Sequence, residues 1–324
     1  MTPRFTRRAL ALAAAASCLS LSGLAMAQGS EYPARPIELV VPYPAGGGTD
    51  VLARAFAQVA TKYLSQPLIV INKSGAAGAI GWSYVTNSPP DGYRIVILAT
   101  DLVVQANMGY TRITYRDFAP IARLNFDPAG FSVKADSPWN SVAEVLAAAK
   151  KGGLSVGNGG TGGAYHLAAA ALEKQAGVAF THIPYQGAGP SALALLGGHI
   201  QATTIAGAEV WPYVTSGKVK ILGMMSATRT EGYEHIPTLK EQGYDIQLGA
   251  FRGLAAHKET PPAIMATLRQ VAAKVAADPQ FKDALKKQNM GYAYADGPAF
   301  QEALAKDHAF YAELIEKAGL KGKP

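Results

Sequence analysis

The chain is almost without cysteine: Cys18 is its single thiol in 324 residues. That thiol lies in a segment with the marks of an export leader. Arg4, Arg7 and Arg8 precede the apolar, alanine-rich run from Ala9 to Leu24, and Ala25-Met26-Ala27 is a small-x-small cleavage site. Residues 1–27 therefore read as a signal peptide, with Gln28 as the first mature residue of an exported chain. The mature chain then has no thiol and no disulfide, which an oxidising compartment allows but does not require. Ala15 stands where a lipoprotein signal usually carries leucine, so Cys18 is not read as a lipid anchor. Thr6 to Leu10 loosely resembles a twin-arginine signal, and ordinary secretion fits as well, so the export route stays open.

Other absences narrow the function. No later apolar run is long enough and free enough of breakers to span a bilayer. Losing the leader removes three arginines and no acids, so the mature chain carries 30 − 3 = 27 basic against 23 acidic residues, a mild and well-mixed +4. There is no basic run interleaved with aromatics, and no nucleic-acid partner is expected. The histidines at 166, 182, 199, 235, 257 and 308 form no HExxH and no ligand spacing with Asp, Glu or Cys, so neither metal nor cofactor is expected. Gly153-Leu154-Ser155-Val156-Gly157 matches G-x-S-x-G literally. A nucleophile elbow needs its serine at a sharp turn, whereas Ser155 reads as early in a strand.

What the chain has is glycine, 34 residues of it, concentrated where strands give way to helices. In VPYPAGGGTDVLARAF a β-branched strand (Ile37 to Tyr43) runs through Ala45, Gly46, Gly47 and Gly48 into an amphipathic helix, with Thr49 or Asp50 as its cap. Free N–H groups at such a helix start favour an anion. No lysine follows, so a P-loop is excluded. G-x-G-x-x-G is absent too, so a dinucleotide fold is not indicated, and a carboxylate is the better match. A tight turn that binds nothing remains the alternative. The device recurs in GNGGTGGAYH, from Gly157 to His166, where Asn158, Thr161, Gly162, Gly163, Ala164, Tyr165 and His166 are candidate contacts. His166 is read as a structural or capping residue. A third strand-to-helix loop, PYQGAGPS, offers Tyr185 and Gln186.

Strand and helix patterns alternate throughout, which predicts an α/β protein. The segment FAPIARLNFDPAGFSVK reads as two strand runs broken at residues 127–130, and 245–257 as another strand. The tail reads as two helices, Pro262 to Ala277 and Gly297 to Ala318. Two lobes follow, one discontinuous (28–126 plus 249–324) and one continuous (127–248), so that two helix N-termini face one cleft. Tyr43, Tyr165, Tyr185 and Phe251 are candidate cleft aromatics. Thr100 ends one strand, and Asp101 and Glu209 are placed in loops at strand ends bordering the cleft. One of these two acids is expected to meet an ammonium or amide group of a ligand.

Taken in order, YPARPIELVVPYPAGGGTDVLAR, NKSGAAGAIG, PPDGYRIV, HIPYQGAGPSALALLGGHI and GLAAHKETPP resemble the Bug receptors, the TctC-like solute-binding proteins of tripartite tricarboxylate transport systems. The resemblance spans essentially the whole mature chain. It implies a type II periplasmic binding protein: two Rossmann-like α/β lobes that close on a dicarboxylate, amino acid or aromatic acid, with the first glycine loop and bridging waters holding a carboxylate. It also implies membrane transporter subunits as partners and no catalysis, and a monomer is expected. Asn158, Gly159 and Gly163 replace the small hydroxyl residues usual in the second loop, and Ala194 replaces a common acid. The alternatives are a periplasmic hydrolase using Ser155 and a ligand-sensing adaptor for a signalling receptor.

Overall fold

The computed structural model describes residues 32–318, so the leader, its cleavage site and Cys18 lie outside the described residues. Ten strands form one twisted assembly in two halves. The first has the order β2 (Leu68–Asn72), β1 (Ile37–Val41), β3 (Arg94–Ala99), β9 (Gly249–His257), β4 (Phe118–Lys134) and β10 (Tyr292–Asp296). The second runs β8 (Val219–Met224), β4, β7 (Ala202–Ala206), β5 (Leu154–Asn158) and β6 (Phe180–Pro184). In each half the parallel strands sit to one side, β1 with β2 and β3, and β5 with β6 and β7. Both glycine loops leave the carboxyl ends of parallel strands, the edge at which α/β sheets bind ligands.

Strand β4 belongs to both halves. It pairs with β9 from Phe118 to Pro128, then with β7 and β8 from Ala129 onward. The break expected at residues 127–130 is therefore absent. Pro128 is accommodated because the strand changes partners there, and a proline lacks only the donor that such a junction need not supply. The chain returns beside this point: Ala129 N–H donates to Leu248 O at 2.9 Å, and β9 begins at the next residue.

The helices follow from their apolar spacing. In α1 (Gly48–Ala60), Leu52, Ala53, Phe56, Val59 and Ala60 are buried, a stripe one helical face wide. Phe56 meets Phe281 edge-on at 5.9 Å, joining α1 to α9 (Pro279–Lys287). Between them in sequence lie α2 (Ala79–Thr86), α3 (Thr100–Met108), α4 (Val142–Ala149), α5 (Ala164–Ala176), α6 (Ala188–Leu196), α7 (Gly207–Thr215) and α8 (Pro262–Ala277), and α10 (Gly297–Ala318) closes the chain. Helices α3 and α9 and strand β10 are additions to the expected elements. α3 is bounded by Gly109 in the left-handed conformation (φ 79°), and α9 by Asp278, whose carboxylate accepts from Gln280 N–H at 2.8 Å.

Gly249 marks the tightest point of the junction. A Cβ there would lie 2.4 Å from Asp127 O and 2.9 Å from Pro128 Cα, both backbone atoms. Gly249→Ala should therefore destabilise the fold by about 1–3 kcal/mol through overpacking. A urea midpoint indistinguishable from that of the parent chain would show that the two strands can part there.

Candidate functional site

Two helix N-termini, α1 of the first half and α5 of the second, meet at the junction. Neither has a side-chain cap of its own. The N-cap residues are Gly47 and Gly163, so the sequence-based expectation that Thr49 or Asp50 caps α1 is corrected. Asp50 instead braces the loop from inside the first turn: its carboxylate accepts from Gly46 N–H, Arg54 Nε and Asn72 Nδ2, each at 2.9 Å. Burial pushes Asp50 up, but these donors outweigh it and hold the carboxyl below its usual range.

Each open helix terminus is filled by a carboxylate from the other half. Glu209 Oε2 accepts from Gly48 N–H of α1 at 2.9 Å, and Asp101 Oδ1 accepts from Ala164 N–H of α5 at 2.6 Å. The sequence placed both acids in loops. They stand in the first turns of α7 and α3, because both helices start directly at their strand ends. This is the physical use of two of the glycines. A Cβ on Gly48 would lie 2.5 Å from Glu209 Oε1, and one on Gly163 2.7 Å from Asp101 Oδ1. Gly46 differs, since its φ of 82° is what demands glycine.

Around these contacts lies a buried polar cluster. Arg252, on β9, donates through Nε to Thr49 Oγ1 at 2.8 Å, through one terminal nitrogen to Asp127 Oδ2 at 2.5 Å and through the other to Glu209 Oε1 at 3.0 Å. Asp127 also accepts from Asn125 Nδ2 and Gly291 N–H, both at 2.8 Å. Tyr43 donates its hydroxyl to Asp101 at 2.5 Å. Burial raises the Asp101 and Glu209 carboxyls above their ordinary values. It also opposes the charge of Arg252, but Tyr165, Asp127 and Glu209 outweigh that and raise its pKa. The enclosed space is about 30 Å³, room for a water molecule. Tyr165 is among the residues that line it, and its buried hydroxyl has no hydrogen-bond partner.

Of the residues singled out from sequence, Tyr43, Gly47, Gly48, Thr49, Asp101, Tyr165 and Glu209 line this cavity. Ala45 is exposed, and Thr161 is half-buried beside the cavity without lining it. Thr100 Oγ1 accepts from Phe251 N–H at 2.9 Å, while the Phe251 ring turns into the core against Phe300, so the cleft role expected for that ring is corrected. Asn158 Oδ1 accepts from Gly160 N–H at 2.9 Å and shapes the second loop. Gly162 N–H donates to His166 Nδ1 at 3.2 Å, so His166 is structural. Tyr185 packs on the core, and Gln186 points to solvent. Their loop reaches the cavity instead through residues 187–190. Ser155 is the second residue of β5, bonded to Gln201 and to no histidine, which removes the elbow geometry. Arg252 and Asp127 were missed. The available signal was a lone arginine in the apolar strand GAFRGLAAH.

The model of the tripartite tricarboxylate transporter family receptor, TctC, matches residues 52–320. The chain belongs to this family. It is a solute-binding receptor of the α/β type found in periplasmic binding proteins. It is similar to a TctC solute-binding protein from Polaromonas solved without ligand, with 59% identity, TM-score 0.66, and coverage of 88% of this chain and 99% of that one. It is also similar to the periplasmic binding protein BugD, at 31% identity and TM-score 0.85 over 90% and 99% of the two chains. A Rhodopseudomonas palustris protein, Rpa4515 with adipate, is 26% identical, with TM-score 0.83 over 89% and 99%.

One titration is predicted from this geometry. Burial, and next the His182 ring at 4.8 Å, push the His166 pKa down to about 4. The unfolded chain then binds a proton that the folded chain refuses. The His166 contribution is thus present above about pH 6.5 and is lost as pH falls toward 4, roughly 2–3 kcal/mol at most. In urea titrations between pH 7 and 4, His166→Asn should lose less stability than the parent. Parallel losses would mean that His166 protonates freely in the folded state.

Proposed function

We propose that this receptor captures a small carboxylate-bearing metabolite, a dicarboxylate, amino acid or aromatic acid, in the cleft between its lobes and presents it to a tripartite transporter. The observation that carries this reading is that both glycine-opened helix termini hold carboxylates of the protein itself, at 2.9 and 2.6 Å, which supports taking each as an anion seat. The adipate complex of the R. palustris relative agrees with it. The lobes are taken as 28–126 plus 249–324 and 127–248, hinged where β4 and the start of β9 lie side by side. Lobe closure is supported by an inversion in the comparisons. The ligand-free Polaromonas relative is 59% identical yet superposes at 0.66, whereas BugD at 31% reaches 0.85. Sequence divergence would order these the other way, while a change in lobe angle lowers a global score without altering either lobe.

The receptor is placed in the periplasm, with cleavage after Ala27, working as a non-enzymatic monomer whose closed form is read by membrane subunits.

A thermal-shift screen of residues 28–324 against dicarboxylates, tricarboxylates, amino acids, aromatic acids and their amides tests this. A solute at 100 times its Kd should add about 2.7 kcal/mol of stability, a readily visible rise in melting temperature. Stabilisation by the amides and not by their parent acids would refute carboxylate capture.

A further inference from the structure

The seat on α1 is more than a helix terminus. It joins the Gly48 N–H to a guanidinium that is 3% exposed, and it shares its cavity with Tyr165, 5% exposed, whose buried hydroxyl has no hydrogen-bond partner. Glu209 fills this seat with both oxygens, Oε2 on Gly48 N–H and Oε1 on Arg252. It reaches across the cleft from the first turn of α7 to do so. A free carboxylate arriving at the same two donors would need the same space, because the residual cavity of about 30 Å³ cannot hold a carboxylate group beside Glu209. Nor is there spare positive charge. Arg252 already faces Asp127 and Glu209, and Asp101 closes the other side of the cavity.

We propose that Glu209 is an internal stand-in for the solute carboxylate, a specificity-determining residue that latches the lobes and must be displaced from Gly48 and Arg252 before a solute anion can bind. This rests on the receptor reading above. The displacement exchanges one carboxylate for another at fixed donors, so the intrinsic strength of the seat is reduced by whatever the latch already supplies. Solutes that merely match Glu209 gain little. Those that also give the Tyr165 hydroxyl a hydrogen-bond partner gain a contact the latch lacks, since a buried orphan hydroxyl is costly and its satisfaction is specific to the solute. Asp101 on Ala164 N–H is the reciprocal contact, so removing Glu209 frees one seat and leaves the other closed.

Two measurements on residues 28–324 test the proposal. In calorimetric titrations with acetate, succinate and any carboxylate that stabilises the parent, Glu209→Gln should bind at least one probe about tenfold or more tighter. The amide keeps the shape but gives up the charge that competes for Arg252. In small-angle scattering without solute, Glu209→Ala should show a larger radius of gyration than the parent, and Asp101→Ala/Glu209→Ala a larger one still. Unchanged affinity for a probe that binds the parent overturns the proposal. So does weaker affinity, which would instead assign Glu209 to a cationic group of the solute. Superimposable scattering profiles from folded variants overturn the latch directly. If no probe binds either protein while the variants expand, the latch stands and carboxylate capture fails. Should Glu209→Ala not fold, the scattering comparison is made with Glu209→Gln.

Discussion

The structure turns on a buried arginine. An isolated guanidinium in a protein interior carries a desolvation cost of several kcal/mol, met only if close carboxylates and further hydrogen bonds surround it. Arg252 is met by Asp127, Glu209 and the Thr49 hydroxyl. These partners are not neighbours in sequence or in the fold. Asp127 lies on β4 where that strand changes sheets, Glu209 on the first turn of α7 in the second half, and Thr49 at the start of α1 in the first. The cluster therefore ties together the point where β4 changes partners, the start of α1 and the second half of the sheet. Asp127 is also held beside β9 by strand pairing, opposite Ala250, whereas Glu209 reaches Arg252 from a helix of the second half.

The glycines act in two physically distinct ways. Gly46, Gly160 and Gly162 have φ of 82°, 130° and 72°, and the turn itself demands them. Gly48 and Gly163 have ordinary backbone conformations, and there the missing Cβ leaves room for an oxygen. The second kind stands at one helix start in each half of the sheet, and each is occupied by a carboxylate from the other half. Backbone N–H groups at a helix start are satisfied by capping side chains, by water or by ligands. Here the local sequence supplies no cap, so the demand passes across the cleft.

Much of this was legible in the sequence, because the signals were local. Strand-to-glycine-to-helix transitions located both seats, and apolar periodicity located the tail helices at Pro262–Ala277 and Gly297–Ala318. The misses share a cause. Thr100–Met108 was not read as a helix because Val103 and Val104 prolong the β-branched run of β3, and Asp101 was consequently assigned to a loop. Strand β4 was read as broken because Pro128 and Gly130 are breakers in a strand with constant partners, whereas this strand exchanges them at that point. Arg252 went unnoticed because periodicity ranks a lone charge in an apolar strand as an exception. The energetics rank it differently: a buried charge requires partners, so the exception was the strongest pointer to a site.

A receptor of this kind faces a constraint that a rigid pocket does not. Its closed form must be stable enough to retain a solute but not so stable when empty that the transporter reads it as loaded. Leaving the helix termini bare would make empty closure costly, since each orphaned N–H loses hydration without gaining a partner. Filling them with Asp101 and Glu209 lowers that cost, and burial in turn limits the gain, because both carboxyls are driven above their ordinary pKa by desolvation. The carboxylates that satisfy the empty cleft are thus themselves held at an expense. A solute that brings its own charge already balanced is favoured over the latch by that difference. On this argument specificity resides less in side chains aimed at the solute than in how poorly the protein's own carboxylates fit the seats they occupy.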